Sequence, residues 1–501
     1  MKKAKKFYIT TSIAYANGSP HIGFALEVIQ ADVLARYHRI LGEDVFFLTG
    51  TDEHGAKIEK TAKSFGKTPG RFTNEISAKF KKLAKILNIS NDDFIRTTDK
   101  KRHLPAVNKA WLKLKRKGDV YKKTYKGLYC VGCEAFVQEK DLVDGKCPIH
   151  KKEPEVVEEE NYFFRLSKYI KILEKKIAEK EIEIIPKSRE NEVLSMIKQG
   201  IGDISISRAR KKLKWGIKVP DDPRQTIYVW VDALLNYISA LGYPNGRQFK
   251  KYWPADIHCI GKDILKFHAL VWPAMLLSLD LELPRRILVH GFINVDGQKM
   301  SKSLGNVIDP FSLVKRYEPV VSADLGAEAL RYFFLREIPA TEDGDFTYQK
   351  YKKRYNSDLA SGIGNLVSRV RSLAQRVGRI KNFEKPDCQI QKKIQSIRKN
   401  YKRELEKFNF NAALGLVWEL ISFSDRYIEK KKPWREKDNK AKDKNKKTIA
   451  NLLYLLKEIS FLLTPFLPKA AESIERLAKI DKRSGELACK KKIVLFPRIK
   501  E

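Results

Sequence analysis

The chain has 501 residues, of which 43% are hydrophobic and 10% aromatic, a composition typical of globular proteins with a sizeable core. Lys and Arg outnumber Asp and Glu by 99 to 61, and this formal net charge of +38 favours a polyanionic partner, although a highly charged surface would give the same excess. No apolar run reaches the roughly 20 residues that span a bilayer, and the basic N-terminus lacks an apolar segment with a cleavage site. We therefore expect a soluble, cytoplasmic protein.

The N-terminal part alternates strand-like and helix-like segments. The apolar run 7–13 predicts a strand, residues 20–41 predict an amphipathic helix that ends at Gly42, and 45–50 predicts a second buried strand. Strand–helix–strand spacing of this kind favours a parallel α/β sheet.

The pattern changes three times along the chain. Short β-like pieces and charged helices replace the α/β pattern over 118–225, which reads as an insertion because α/β spacing resumes at 226. The apolar run 287–295 predicts one further strand. From 356 onward the sequence predicts helices only, with a charged linker at 430–447 between two of them.

The stretch 17-NGSPHIGF-24, between the first strand and the first helix, is a candidate anion site. A helix N-terminus carries unpaired N–H groups and the positive end of the helix dipole. We interpret Ser19 as the cap and Pro20 as the first helical residue. Gly23 would let a ligand approach the backbone, and His21 could donate a hydrogen bond to phosphate. An ordinary capped helix with an incidental histidine is an equal alternative.

A second candidate phosphate site is 297-GQKMSKSLGN-306, a loop predicted to follow a strand. Lys299 and Lys302 could both reach a triphosphate, while the alternative is a solvated basic turn. A Walker-type loop is absent, because 66-GKT-68 lacks the upstream glycine. Phosphates would therefore bind to this split arrangement rather than to a P-loop.

A cysteine and histidine cluster has the spacing of a metal site. The ligands would be Cys130, Cys133, Cys147 and His150, in the pattern C-x2-C followed by C-x2-H. Four such ligands close a tetrahedron around zinc, which predicts one structural ion with no open position for catalysis. The alternative is two turns with incidental thiols.

Several segments resemble class I aminoacyl-tRNA synthetases. HIGF and KMSKS resemble their paired signatures, and five blocks in family order across 8–310 narrow the resemblance to methionyl-tRNA synthetases: YANGSPHIG, FFLTGTDEHG, YVWVDALLNYISALGY, GKDILKFHALVWPAML and HGFINVDGQKMSKS. The resemblance implies an α/β fold with a Rossmann-type catalytic domain, a zinc-knuckle insertion and a C-terminal α-helical anticodon-binding bundle. The implied domains are a catalytic domain in two halves (1–117 and 226–292), a connective insertion (118–225), a KMSKS-bearing linking domain (293–355) and the anticodon-binding domain (356–501).

The resemblance also implies a reaction. Methionine and ATP would form methionyl-adenylate and pyrophosphate, with Mg²⁺ accompanying ATP, and methionine would then pass to the 3′ end of tRNA(Met). Another class I synthetase and a non-enzymatic tRNA-binding relative are the alternatives. Phe24 stands where the second histidine of HIGH is usual, which removes one phosphate donor. The implied catalytic residues are His21, Lys299 and Lys302, and the implied ATP-binding residues are Tyr15, His21, Gly23, Phe24, Gly261, Asp263, Lys299, Ser301 and Lys302.

A methionine pocket should offer aromatic faces and few polar groups, because the thioether is apolar and polarisable. The resemblance places Asp52 on the α-ammonium group and Asp263 on the ribose of ATP. The implied lining is Ile13, Tyr15, Asp52, Trp230, Ala233, Leu234, Tyr237, Phe267 and His268, with Trp272 behind it. Tyr15 and His268 would face the thioether, whereas Glu53 and His54 would support the turn. Core packing is the alternative for the two tryptophans, and a metal site is the alternative for residues 52–54.

The helical tail is implied to read the tRNA anticodon. Asn365 and Arg369 lie four residues apart, on one face of a predicted helix, and Trp434 lies in a basic stretch where it could stack on an unpaired base. A surface hydrogen-bond pair is the alternative for the first two residues, and a core anchor at a helix start is the alternative for Trp434. The chain stops soon after the bundle, from which we expect a monomer.

Overall fold

The structure is a computed structural model that describes residues 4–130, 135–137, 139–148, 151–300, 305–316, 322–377, 386–434, 439–477 and 495–499. The chain divides into two compact units. The first unit contains residues 1–20, 41–82 and 90–290, and the second contains residues 21–40, 83–89 and 291–501. Within the described ranges, no helix has both the length and the apolar character needed to cross a membrane.

Strands are concentrated in the first unit. Its strands are β1 Lys6–Thr11, β2 Ala14–Tyr15, β3 Asp44–Asp52, β4 Asp93–Arg96, β5 Val120–Cys130, β6 Ala135–Val137, β7 Glu155–Phe164, β8 Glu183–Ile185, β9 Ile204–Ser205, β10 Ser207–Ala209, β11 Lys218–Val219, β12 Asp222–Ile227, β13 Ile257–Gly261 and β14 Arg286–His290. The strands of the second unit are β15 Ile293–Val295, β16 Gln298–Lys299 and β17 Gly344–Phe346.

Helices occur in both units. In chain order they are α1 Ile22–Ile40, α2 Ala56–Ser64, α3 Pro69–Ile86, α4 His103–Arg116, α5 Ile170–Ala178, α6 Lys187–Lys198, α7 Val229–Leu234, α8 Asn236–Ser239, α9 Arg247–Tyr252, α10 Trp272–Ser278, α11 Pro310–Lys315, α12 Ala323–Glu337, α13 Tyr348–Arg354, α14 Asn365–Val377, α15 Cys388–Glu406, α16 Phe410–Lys431, α17 Asn439–Leu463 and α18 Pro468–Leu477. Short 3₁₀ turns lie at Glu139–Asp141, Leu166–Tyr169 and Lys262–Ile264, and π-helical turns lie at Phe267–Val271 and Tyr355–Gly364.

The first unit is built on a parallel sheet with the strand order β4-β3-β1-β13-β14-β8, to which β2 adds beside the end of β3. Ile9 of β1 pairs with Phe47 on one side and with Ile257 on the other. Such strands are apolar on both faces because helices cover parallel sheets on both sides. The order reverses at β1, which is where open α/β sheets bind their ligands. The predicted parallel α/β sheet is confirmed.

Within the predicted insertion, residues 118–225, four strands form a separate antiparallel sheet with the order β6-β5-β7-β9, whereas β8 of the same range pairs with β14 in the parallel sheet. Its longest ladder joins β5 to β7, from Val120 opposite Phe164 to Tyr129 opposite Glu155. Cys130 ends β5 and pairs with Ala135 of β6. One of the cysteines predicted to bind metal is therefore fixed at the end of a hairpin.

Two element boundaries were predicted wrongly. The run 287–295 is two strands, β14 in the parallel sheet and β15 in the small sheet of the second unit, separated at Gly291. A Cβ on Gly291 would lie 2.2 Å from the backbone of Glu342, so the chain turns here where another backbone segment approaches. The first helix begins at Ile22 rather than at Pro20.

The second unit is largely helical after β17, which confirms the predicted helical tail. Its core contains a fully buried arginine, Arg331 of α12, which forms an ion pair of 2.8 Å with Asp32 of α1. The same guanidinium donates hydrogen bonds to the carbonyl groups of Leu87, Pro465 and Phe466. A buried charge is tolerated when it is paired and fully hydrogen-bonded, so this arginine joins α1 to the C-terminal helices.

Candidate active site

The carboxyl edge of the parallel sheet brings three predicted site segments together. β1 leads into Ile13 and Tyr15, β3 ends at Asp52, and β13 ends at Gly261. Tyr15 pairs with Asp52 in register. The carbonyl oxygen of Asp52 accepts a hydrogen bond of 2.8 Å from the backbone N–H of Ala16. The segments lie on either side of the strand where the order reverses, the usual position of a ligand site in this kind of sheet.

The turn after β3 is held by buried ionic contacts. Glu53 is fully buried and binds Arg96 through both carboxylate oxygens, at 2.7 and 2.8 Å. His54 Nδ1 lies 2.7 Å from a carboxylate oxygen of Asp232. Asp52, 8% exposed, is therefore presented by a turn whose two following side chains have structural partners. These contacts agree with the supporting role predicted for Glu53 and His54.

Asp232 connects several elements of the first unit, a role that no sequence motif indicates. Its second carboxylate oxygen lies 2.7 Å from His103 Nε2, and His103 Nδ1 lies 2.7 Å from the hydroxyl of Ser239. Burial alone would raise the pKa of the Asp232 carboxyl, but His54 and His103 outweigh it and lower the pKa to about 2. The ionised carboxylate thus fixes α7 against the end of β3.

Aromatic side chains form an apolar group in the first unit, which also contains the turn after β3. The rings of Trp230 and Phe267 stack at 4.1 Å with an interplanar angle of 9°. The partly buried members of the predicted lining are Ile13, Tyr15, Trp230 and Phe267, and the buried members are Asp52, Ala233, Leu234, Tyr237, His268 and Trp272. Partly buried aromatic faces of this kind suit a flexible apolar ligand.

His268 and Tyr237 form an oriented hydrogen-bond chain. Burial lowers the pKa of His268 to about 4, so its ring is neutral near pH 7. Nδ1 lies 3.0 Å from the carbonyl oxygen of Ile264 and must donate to it, which leaves Nε2 as the acceptor. The Tyr237 hydroxyl, 2.7 Å away, therefore donates to Nε2. Both ring nitrogens of His268 are engaged, which fixes the ring orientation.

A second buried histidine, His258, supports the aromatic group from the core. Trp272 Nε1 can only donate, and it donates to His258 Nε2 at 3.3 Å. The proton of the neutral His258 ring therefore lies on Nδ1, which donates to Thr10 Oγ1 at 2.7 Å. Trp272 is fully buried, and its ring lies 5.8 Å from that of Tyr237. Trp272 is thus a core residue that packs behind Tyr237. His258 was missed because nothing in its sequence context distinguishes it from an ordinary strand residue.

The end of β13 carries the residue predicted to bind ribose. Asp263 is exposed, and its Oδ1 lies 2.8 Å from the position that a Cβ on Gly261 would take. The carboxylate therefore folds back over the end of the strand. An exposed carboxylate at the carboxyl edge of such a sheet is a suitable acceptor for ribose hydroxyl groups.

In the second unit, His21 caps the first helix. Its carbonyl oxygen accepts from Ala25 N at 3.2 Å, and its Nδ1 accepts from Gly23 N at 3.1 Å. In the neutral ring Nε2 then carries the proton and can donate to a ligand. A Cβ on Gly23 would lie 2.9 Å from His21 Cε1, so glycine is needed to keep the ring over the helix start.

The predicted cap is therefore wrong. Ser19 Oγ accepts a hydrogen bond of 3.0 Å from Lys79 Nζ, and Pro20 precedes the helix instead of starting it. Phe24, in contrast to the exposed His21, has a side chain that is 8% exposed. The glycine and the histidine work as a pair at this turn, a coupling that sequence analysis missed.

The second signature segment meets the first within the second unit. Ile22 N donates to Ile308 O at 3.3 Å, and Met300 Cε lies 4.0 Å from the position of a Cβ on Gly23. Lys299, on the exposed strand β16, holds its ammonium group 5.2 Å from the ring centroid of Phe292. Ser301 and Lys302 lie outside the described residues. Segments nearly 280 positions apart in sequence thus form one turn cluster.

Two of the four predicted metal ligands are described. Cys130 and Cys147 are both buried, and the N–H and carbonyl groups of Cys147 pair with Lys152 and Lys151 in a tight turn. Cys133 and His150 lie outside the described residues. Over the described ranges, no group of three or more possible metal-binding side chains forms.

The residues predicted to read the anticodon lie in the helical part of the second unit. Asn365 is exposed at the start of α14, while Arg369, one turn further, forms ion pairs with Asp425, at 3.0 Å, and with Glu429 of α16. Trp434 follows the end of α16 and is 42% exposed. This exposure contradicts the alternative of a core anchor for Trp434 and leaves its ring accessible.

A parallel Rossmann-type sheet, a histidine-capped helix start against a second signature loop and a helical C-terminal part define a class I aminoacyl-tRNA synthetase. Two family models agree: tRNA synthetases class I (M) matches residues 7–153 and 133–371, and the anticodon-binding domain of tRNA ligase matches residues 387–497. The chain belongs to the methionyl-tRNA synthetase family, whose function is the ATP-dependent ligation of methionine to tRNA, as predicted.

Individual relatives are similar over most of the chain. The chain is 42% identical over 495 residues to a methionine–tRNA ligase of Thermotoga maritima, covering 96% of this chain and 76% of that protein. It is 42% identical over 496 residues to one of Rhizobium meliloti, covering 96% and 93%. A solved structure of Mycobacterium tuberculosis methionyl-tRNA synthetase in complex with methionyl-adenylate superposes with a TM-score of 0.91 at 35% identity, covering 99% of this chain and all of that one.

Proposed function

We propose that the chain forms methionyl-adenylate from methionine and ATP and then transfers methionine to the 3′ end of tRNA(Met), with separate groups of residues serving the amino acid and the phosphates. The observation that carries this proposal is the meeting of the His21–Gly23 turn with Met300, because it assembles the two signature segments. The similarity to a structure that contains methionyl-adenylate supports the same reaction.

The amino-acid end of the substrate is assigned to the first unit. Asp52 binds the α-ammonium group by charge, and its low exposure strengthens that attraction. The stacked rings of Trp230 and Phe267, together with Tyr237 and His268, receive the side chain. Thioether sulfur is attracted to aromatic rings, so this lining favours methionine over branched apolar amino acids. The remaining proposed lining residues are Ile13, Tyr15, Ala233 and Leu234, with Trp272 behind them.

The phosphates are assigned to the turn cluster of the second unit. A methionine carboxylate oxygen bonds to the α-phosphorus of ATP while the bond to the bridging oxygen of pyrophosphate breaks, so the protein supplies positioning and charge rather than a nucleophile. His21 donates from Nε2, the α1 N-terminus adds its dipole, and Lys299 and Lys302 neutralise the departing pyrophosphate. Mg²⁺, held by phosphate oxygens, supplies further charge neutralisation when it is bound.

Two assignments remain: the residues that contact the nucleoside part of ATP, and the residue that contacts phosphate where Phe24 replaces the usual second histidine. Asp263 accepts from the ribose beside Gly261, while Tyr15, Gly23, Phe24 and Ser301 complete the proposed ATP-binding set. Because the Phe24 side chain is buried and that of His21 is exposed, we assign the phosphate contact to His21 alone. The site is active without a second histidine in this account.

A structural zinc ion is proposed for the insertion. Its ligands are Cys130, Cys133, Cys147 and His150, and the burial of Cys130 and Cys147 supports a structural rather than a solvent-facing role for their thiols. Sulfur and imidazole donors at this spacing suit Zn²⁺, which would brace the hairpin that follows β5. Removal of the ion is expected to lower the thermal midpoint without direct loss of the exchange reaction.

The helical tail is proposed to read the CAU anticodon. The Trp434 ring stacks on one unpaired base, while Asn365 and Arg369 contact base edges or phosphates. Asp425 and Glu429 hold the Arg369 guanidinium in place. The two carboxylate partners fix the orientation of the guanidinium plane, which recognition of a base or phosphate requires.

The test is ATP–pyrophosphate exchange with a panel of amino acids, measured without tRNA. We expect exchange with methionine, and a signal with leucine, isoleucine or valine that is lower by about 100-fold or more. Exchange with a different amino acid would favour another class I synthetase. Failure to exchange with every amino acid, with tRNA binding intact, would favour a non-enzymatic relative.

A further inference from the structure

A concave surface of the first unit is lined mainly by lysines. It is a depression of about 290 Å³ between α2 and the turn that follows β10. Glu59 is the one carboxylate among its lining residues, all of which are described. The lysines are Lys60, Lys63, Lys211, Lys212 and Lys214. We call this surface the lysine depression.

The sequence builds the lysine depression from two short segments. On α2, positions 56, 59, 60 and 63 share one helical face, while Ile58 and Ala62 are buried on the opposite face. In the turn after β10, Leu213 is buried and its carbonyl oxygen accepts from Thr226 Oγ1 at 2.8 Å. Both segments are thus anchored to the core, and their lysines face a common space.

Most of these lysines have no carboxylate partner among the residues that the structure describes. Lys212 forms an ion pair of 2.5 Å with Glu159. Across the described ranges, no carboxylate lies within ion-pair distance of Lys60, Lys63, Lys211 or Lys214. Like charges that converge in a concave surface raise the positive potential there, which attracts a partner rich in phosphate.

Hydrogen bonds fix the lysine depression beside the turn that carries Asp52. Trp215 Nε1 donates to Glu53 O at 2.5 Å, and Gly55 N donates to Trp215 O at 3.1 Å. The Trp215 ring also lies 5.5 Å from that of His54. Since α2 begins four residues after Asp52, backbone geometry keeps Lys60 within about 20 Å of Asp52.

An exposed aromatic residue lies at the end of α2. Phe65 follows the last residue of the helix, is 64% exposed, and stacks on Phe72 at 5.8 Å with an interplanar angle of 19°. Phe65 is not among the residues that line the lysine depression, so the case for a phosphate-rich partner rests on the lysines and on their distance from Asp52.

We propose that the lysine depression binds phosphates of the tRNA acceptor arm close to its 3′ end. The proposal rests on the proposed function, because the terminal hydroxyl must reach the methionine that is activated beside Asp52. Lysine contacts to phosphate carry no sequence information, so this surface positions the arm while the anticodon supplies specificity. Lys60, Lys63, Lys211 and Lys214 make the contacts, and Lys212 stays bound to Glu159.

The test compares two pairs of substitutions with a matched control pair. K60Q/K63Q and K211Q/K214Q each remove two lysines of the depression, whereas K109Q/K171Q removes two exposed lysines outside it. Each variant is assayed for methionine-dependent ATP–pyrophosphate exchange without tRNA and for aminoacylation of tRNA(Met) at several salt concentrations. Activation needs no tRNA, so exchange separates the two steps.

We expect each depression pair to raise the KM for tRNA by about fivefold or more, and to reduce the slope of log KM against log salt by about one to two. Exchange should stay within about twofold of the unsubstituted chain, as should both activities of the control pair. An unchanged KM, an equal rise in the control pair or a parallel fall in exchange would overturn the proposal. Absence of exchange in the unsubstituted chain would instead refute the proposed function.

Discussion

The proposed amino-acid pocket and the proposed phosphate turn, which is formed by residues 20–24 together with Lys299, are built in opposite ways. In the pocket, His268, Tyr237 and Asp232 are buried and their polar atoms bind one another or the backbone. At the phosphate turn, His21 and Lys299 are exposed and stand on a helix start and a short hairpin strand. If the proposed assignments hold, selection of the amino acid depends on fixed shape, whereas phosphate handling depends on accessible charge.

This contrast has a kinetic consequence. Changes in the buried pocket should alter methionine binding and stability together, because each polar group there supports its neighbours. Changes at the exposed turn should alter the rate of activation with little effect on folding. The following substitutions test the contrast in order of decreasing effect.

His21→Ala should give the largest loss of activity. It removes the proposed donor to the reacting phosphates, and the loss of one such donor lowers kcat on the order of 10²–10³-fold. The thermal midpoint should stay within about 2 °C because the ring is exposed. His38→Ala on the same helix is the control, and a loss below about threefold in His21→Ala would remove this residue from catalysis.

Asp52→Asn should impair methionine use almost as strongly. Loss of a low-exposure carboxylate opposite an ammonium group costs about 2–5 kcal/mol, so kcat/KM for methionine should fall on the order of 100-fold. The KM for ATP should change by less than about threefold. Equal effects on both substrates in exchange kinetics would contradict the assignment of Asp52 to the ammonium group.

Asp232→Asn should weaken binding and stability together. The pKa of Asp232 is lowered from 3.8 to about 2, so ionisation stabilises the fold by about 2 kcal/mol above pH 4, and that contribution is lost as the pH falls through about 2. Urea unfolding at pH 5 should show this loss in the variant, with a rise of about tenfold in the KM for methionine. A variant that keeps the full free energy of unfolding would show that the network does not hold α7.

Gly23→Ala should separate activity from stability at the phosphate turn. The new Cβ displaces the His21 ring, so kcat should fall about tenfold, although alanine favours helix by up to about 1 kcal/mol. In a His21→Ala background the same substitution should cost no further activity. An equal loss of kcat in both backgrounds would show that the ligand contacts the backbone at Gly23 directly.

Phe24→His should have the smallest effect. The side chain is buried, so an added imidazole is not placed as His21 is, and exchange should rise by less than about tenfold. A larger gain in the initial exchange rate would show that the other residues of the turn do not fully replace the phosphate donor that is lost with Phe24. Phe24→Leu serves as the control for altered packing.

The sequence predicted much of this architecture, because strand and helix periods are local and the signature blocks occur in a fixed order. The parallel sheet and the helical tail follow from those patterns. The break at Gly291 does not, because it depends on the approach of the Glu342 backbone. Nor does the network of Asp232, His54 and His103, whose members are separated by 49 or more positions and meet only through folding.

The helix start shows the same limit at short range. Ser19 and Pro20 have the residue types of a cap and a first helical position, yet Lys79 takes the serine hydroxyl and His21 provides the cap. Local preference was overridden by a partner 60 residues away. The sequence therefore predicted which segments come together more reliably than which atoms make the contacts.

The His21 turn and the loop that contains Lys302 are proposed to act on the same ATP. A double-mutant cycle of His21→Ala and Lys302→Ala, read by methionine-dependent ATP–pyrophosphate exchange, tests it most directly. We expect each single substitution to slow exchange strongly, and the double variant to lose at least about tenfold less than the product of the two single losses. Losses that multiply fully, or exchange that survives either substitution, would show that the two segments do not act together on ATP.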